Sequence, residues 1–187
     1  MKAYTFLAWL MAIPLLALSQ EEDYSRYPGF VDLSKLNEFK NSNTTVEIFI
    51  TKPLLSLIAS SCKDDDPPLV KLISNLVLIR VDQFSVDQKG AEGLKKFIQR
   101  TSDKLARDKW EKVIRVRDPN EHLEFFIKGE GKQVAGLLVM SIDTSGEATF
   151  VNIVGKIDME SLNKLGQQFQ IPKLDSLSGK EKQKAGK

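Results

Sequence analysis

Thr44 to Thr51 sets the first clear period of the chain: Val46, Ile48 and Ile50 alternate with Glu47 and Phe49, the signature of a strand with one apolar face. Pro53 then suits the first turn of a helix, with Leu54, Leu57 and Ile58 at helical spacing. Asp64-Asp65-Asp66 breaks that helix, and Asp66 is placed to cap the next, with Pro67 at its first position. Leu69, Val70, Leu72, Ile73 and Leu76 line its apolar side. Val77 to Phe84 is a second strand, apolar enough to be central. From Asp87 to Asp108 the spacing predicts the longest helix, with Ala91, Leu94, Phe97, Ile98, Thr101 and Leu105 inward.

Lys112–Arg117, His122–Lys128, Gln133–Ile142 and Glu147–Lys156 then read as four successive strands. Asp118-Pro119-Asn120, Gly129-Glu130-Gly131 and Asp143-Thr144-Ser145-Gly146 are their turns, and links this short force antiparallel neighbours. Asp158 is placed to cap a last helix to about residue 169, with Met159, Leu162 and Leu165 inward. The expected fold is α+β: an antiparallel sheet, made of the C-terminal four-strand meander plus two earlier strands, with helices packed on one face. The expected organisation is residues 1–19 a signal peptide, 20–43 a polar N-terminal segment, 44–170 a single domain, and 171–187 a basic flexible tail. In the N-terminal segment, Pro28-Gly29 reads as a turn, and Phe30, Val31 and Leu33 are placed to tuck against the domain.

The N-terminus changes the picture most. Lys2 precedes an apolar run from Phe6 to Leu16, and Ala17-Leu18-Ser19 is a small-x-small cleavage site. The run is shorter than the about 20 residues that span a bilayer, and Pro14 interrupts it. An exported chain, periplasmic or extracellular, is the expectation, with no transmembrane segment after signal cleavage. Cys62 is the single cysteine, so packing rather than an internal disulfide must hold the fold. It reads as a small apolar residue at a helix end. Lys plus Arg is 27 and Asp plus Glu is 25, a balance that gives no electrostatic reason to seek nucleic acid.

Candidate chemistry is sparse. His122 is the only histidine, so the usual His and Cys zinc sets have too few members. It reads as a solvent-facing strand residue. The aspartates at 64–66 lack the ligand alternation and central Gly of a calcium loop. Gly129-Glu130-Gly131 lies between strands, not before a helix, and reads as a hairpin turn. Asn43-Thr44-Thr45 matches a glycosylation sequon, read as chance. No catalytic group and no cofactor is assigned. Arg80, Arg115 and Arg117 lie on strands, and Arg115 and Arg117 project to one face by the period of two. With Asn152 they form a candidate ligand or partner face, beside Asp82 and Glu124, because guanidinium groups bind carboxylate and phosphate bidentately. The competing reading is a solvated face with cross-strand ion pairs.

Several pieces stand in a fixed order: Tyr27-Pro-Gly-Phe-Val-Asp, the Val46-Glu-Ile strand with Pro53-Leu-Leu after it, Leu78-Ile-Arg-Val, Trp110-Glu-Lys-Val-Ile-Arg-Val-Arg, Gly136-Leu-Leu-Val-Met and Phe150-Val-Asn-Ile-Val-Gly-Lys-Ile-Asp. In this order, from Tyr27 to Leu165, the chain resembles the bacterial family called domain of unknown function 4252. The resemblance implies a bacterial envelope protein and a fold type, but no reaction and no site. The function expected is a non-enzymatic binding or interaction domain of the cell envelope, its partner an envelope protein or an anionic ligand. One alternative is a carboxylate-based hydrolase in which Glu47, Asp82 and Glu124 converge. The other is an envelope-associated regulatory or sensor domain.

Overall fold

The computed structural model describes residues 22–40, 45–62, 67–119 and 121–158. The expected signal peptide, the expected cap at Asp64–Asp66, Asn43 and Thr44 of the sequon, the expected last helix beyond Asp158 and the expected basic tail lie outside the described residues. Among those described, the strands are β1 (Thr45–Thr51), β2 (Leu76–Ser85), β3 (Trp110–Arg117), β4 (Glu121–Glu130), β5 (Gln133–Asp143) and β6 (Glu147–Ile157). They form one antiparallel sheet in the order β1-β2-β6-β5-β4-β3. Helices α1 (Lys52–Ser61) and α2 (Pro67–Asn75) link β1 to β2, and α3 (Gln88–Arg107) links β2 to β3. The α+β antiparallel architecture is the one the sequence implies. β6 is inserted beside β2, so the meander and the early hairpin become a single sheet.

α3 begins where the sequence marks it. Asp87 is the N-cap, its carboxylate accepting from the Gly90 backbone N–H at 2.7 Å. Leu94, Ile98 and Leu105 face Phe84, Phe126, Leu138, Met140 and Phe150 in the main core. The rings of Phe84 and Phe150 lie nearly parallel, with centroids 6.1 Å apart.

The helices do not all share a face, as the sequence reading had them. Leu55 of α1 and Leu72 of α2 pack with Phe125, Ile127, Leu137 and Ile157, which alternate with the α3-facing residues along the strands. α1 and α2 therefore cover one end of the opposite face. The reason is legible in retrospect: the meander strands are apolar on both faces, so both require cover. Beyond α1 and α2 that second face carries Val46, Ile48, Val81, Leu123, Val139 and Val151, none of them fully buried.

On the α3 face, the N-terminal segment takes the place a further helix would fill. Val31, Leu33 and Leu36 are buried in the main core, and Phe30 packs beside Val77, Leu78 and Val154. The turn at Pro28-Gly29 presses backbone on backbone: a Cβ at Gly29 would sit 1.9 Å from the Ala135 carbonyl oxygen, and one at Gly136 would sit 2.4 Å from the Gly29 Cα.

Candidate functional site

Polar residues occupy core-facing register at three places on the α3 face: Asp82 on β2, Asn152 on β6 and Glu124 on β4. All three are fully buried. Each gathers partners, and each does something different.

Asn152 ties the N-terminal segment down. Its amide nitrogen donates to the carbonyls of Gly29 and Leu137, both at 3.0 Å, and its amide oxygen accepts from the Val31 N–H at 3.0 Å. Asn152 is thus a buried clamp between chain segments more than 100 residues apart, and its amide is fully engaged. It does not lie on an open polar face.

Asp82 sits one strand in from the β1 edge. Arg80, two residues away on the same face, donates from Nε at 2.6 Å and from a terminal nitrogen at 3.2 Å. Lys40, arriving from the N-terminal segment, donates to the same carboxylate at 2.7 Å and also to Glu47 on β1. Burial alone would raise the Asp82 pKa, but the Arg80 and Lys40 hydrogen bonds outweigh it and hold the carboxyl below its ordinary value. The Arg80 guanidinium also lies 5.0 Å from the centroid of the Phe49 ring.

Glu124 sits one strand in from the other edge. Lys112 and Arg115 of β3 each lie 3.0 Å from its oxygens, and Arg117 lies 3.5 Å away. Lys112 also donates to the hydroxyl of Ser102 on α3 at 2.7 Å, and Arg117 donates to Gln99 on α3 at 2.7 Å. Burial pushes the Glu124 carboxyl up; Lys112, Ser102 and the Arg115 charge outweigh it, and the net shift is downward.

His122 belongs to this cluster. Its Nε2 is 3.6 Å from Glu124, and the side chain is only 16% exposed, so it does not face solvent as the sequence reading had it. The period of two places His122 on the same face as Glu124 and Phe126, beneath α3. Burial lowers its pKa; Glu124 works the other way, while Arg117, Lys95 and Arg115 add to the lowering, so the ring is neutral at pH 7.

The three arginines do not gather. Arg80 lies on β2, and Arg115 and Arg117 lie on β3, four strand spacings or about 19 Å across the sheet. α3 packs between them. Each arginine is engaged by the buried acid nearest to it. Nor do the three carboxylates converge: Lys40 bridges Glu47 and Asp82, whereas Glu124 is three spacings, about 14 Å, from Asp82. Among the described residues no group of three His, Cys, Asp or Glu side chains is placed to hold a metal. A small cavity of about 150 Å³ is lined by Lys95, Arg117 and His122 together with Asp118, Glu121 and Asp143, so neither sign of charge dominates it.

Sequence reasoning named Arg80, Arg115, Arg117 and Asn152 but missed Lys40, Ser102 and Lys112. Ser102 was detectable: it continues the inner stripe of Leu94, Ile98 and Leu105 at helical spacing, a polar residue at an inward position. Lys40 carries no such signal, because it reaches Asp82 from an irregular segment.

Residues 39–165 match the family described as Domain of unknown function (DUF4252). The chain belongs to that family. No curated protein and no solved structure matches it. DUF4252 membership spans β1 to β6 and both buried acid clusters, so the clusters are parts of the family domain itself.

Proposed function

We propose that this DUF4252 protein is an exported, non-enzymatic interaction domain of the bacterial cell envelope, and that it recognises its partner through the β1 edge of the sheet and the apolar face beside it. The carrying observation is the exposure of large apolar side chains there: Val46 is 43% exposed, Ile48 41% and Phe49 51%, on an edge strand. The signal-like N-terminus supports export. The buried acids support a binding role over a catalytic one. Asp82 and Glu124 are held ionised by two or more cations each, whereas a general acid needs a raised pKa.

Capture from envelope fractions tests this reading. Immobilised wild-type protein is compared with Ile48→Lys and with the Arg115→Ala/Arg117→Ala double variant, each checked for folding by circular dichroism. Loss of captured partner with Ile48→Lys and retention with the arginine variant is the expected result. The opposite pattern would transfer the role to the arginines and an anionic ligand.

A further inference from the structure

We infer that the partner of the β1 edge is a second copy of this chain, paired β1 to β1 antiparallel about a two-fold axis through Ile48. The inference rests on the proposed reading of β1 as the recognition edge and supplies the occupant.

The two edges of the sheet are built differently. β3 carries Glu111, Lys112, Arg115 and Arg117, and its pairing with β4 is broken by an irregularity between Lys112 and Ile114. Charges and bulges of this kind discourage edge-to-edge pairing. β1 has one charged residue, Glu47, no proline, and an unbroken register with β2 from Thr45 to Thr51. It is a regular seven-residue strand with nothing on it to repel another.

Its sequence is self-complementary. Read outward from Ile48, Glu47 mirrors Phe49, Val46 mirrors Ile50, and Thr45 mirrors Thr51. An antiparallel copy centred on Ile48 therefore sets Ile48 against Ile48, Val46 against Ile50 and Thr45 against Thr51. Like meets like along the Val46, Ile48 and Ile50 face, and every pairing recurs across the axis, as an isologous interface requires. Glu47 of each copy falls opposite Phe49 of the other, whose ring carries the Arg80 guanidinium. An acid thus meets an aromatic–cation pair at two symmetry-related places, and each Glu47 carboxylate, diagonal to its mate, carries its own counter-charge in Lys40. The apolar row of Val46, Ile48 and Ile50 runs on into its copy, continuing the second face across the joint sheet.

A single strand pair buries less than the about 1,200 Å² of a standard stable interface, so the affinity is modest, with a Kd on the order of 10–100 μM. The test uses the full chain as its producing cell processes it, in a Cys62→Ser background. A short bifunctional thiol reagent is applied to single and double cysteine variants. Ile48→Cys is expected to give a covalent dimer. Val46→Cys alone is expected not to, because the two copies of residue 46 stand four residues apart across the axis, and Val46→Cys with Ile50→Cys restores it. Val116→Cys on β3 is the edge control. Sedimentation of the wild type from about 1 to about 500 μM, a range bracketing that affinity, is expected to shift from monomer to dimer. Ile48→Lys holds it monomeric; the cysteine series, nearly isosteric, covers the case in which that variant fails to fold. A monomer throughout that range, or cross-linking at Ile48→Cys no greater than at Val46→Cys or Val116→Cys, overturns self-pairing. If self-pairing fails while envelope capture still depends on Ile48, the edge reading stands with a different occupant.

Discussion

Glu124 shows how one residue can look like chemistry and act as structure. It is fully buried, and three cations from the adjacent edge strand converge on it. The cations remain partly exposed, so water tempers their attraction, but the carboxylate itself has no access to solvent. Glu124→Gln keeps the shape and removes the charge. It leaves Lys112 beside an uncharged amide, and a loss of about 1–3 kcal/mol in urea unfolding at pH 7 is expected. The same residues set the pH dependence. The carboxyls of Asp82 and Glu124 are held below their ordinary values of 3.8 and 4.5, so the unfolded chain takes up their protons first as pH falls. Their stabilisation is present in full above about pH 5 and is lost as pH drops through the lowered folded values. His122 is also held below its ordinary 6.5, so protons again favour the unfolded chain, beginning near pH 6.5. Urea midpoints are therefore expected to be flat above pH 7, to decline gently below about pH 6.5 and to fall steeply below about pH 4.5. His122→Gln should abolish the gentle limb and leave the steep one; a profile unchanged by that substitution would remove His122 from the account.

At the scale of elements, the segment around Pro28-Gly29 adds to the cover that the three helices give the sheet, and Asn152 holds it there. Asn152→Ala strands the Val31 N–H and the Gly29 and Leu137 carbonyls in a buried place. A cost of about 2–4 kcal/mol is expected, with faster hydrogen exchange concentrated in residues 24–33. Exchange that rises uniformly across the sheet instead would mean that Asn152 supports the core and not the segment. Much of this level was legible beforehand. Strand periods, the start of α3 near Asp87, the α3 stripe and the meander turns are local signals, and the structure places them where the sequence does. The split of helices between two faces was not legible, because it depends on β6 entering beside β2, a pairing between strands more than 60 residues apart. Asn152 was noticed as an oddity in an apolar strand. Its role was hidden because its partners come from Gly29 and Val31, far away in sequence. The arginines were placed on strands correctly, but strand order decides whether they meet, and strand order is not a local property.

For the whole molecule, the two sheet edges divide the labour. The β3 edge is armoured by cations locked onto Glu124 and tied through Ser102 and Gln99 to α3. The β1 edge is smooth, apolar and self-complementary, and next to it lies the half-open second face. A domain with a guarded edge and an unguarded one is built to add a strand on one side only. Hydrogen exchange at the amides of β1, followed as protein concentration rises, tests this most directly. Protection growing across residues 45–51 while β3 is unchanged is the expected result. Exchange in β1 that is independent of concentration, or protection that grows in β3 instead, would contradict it.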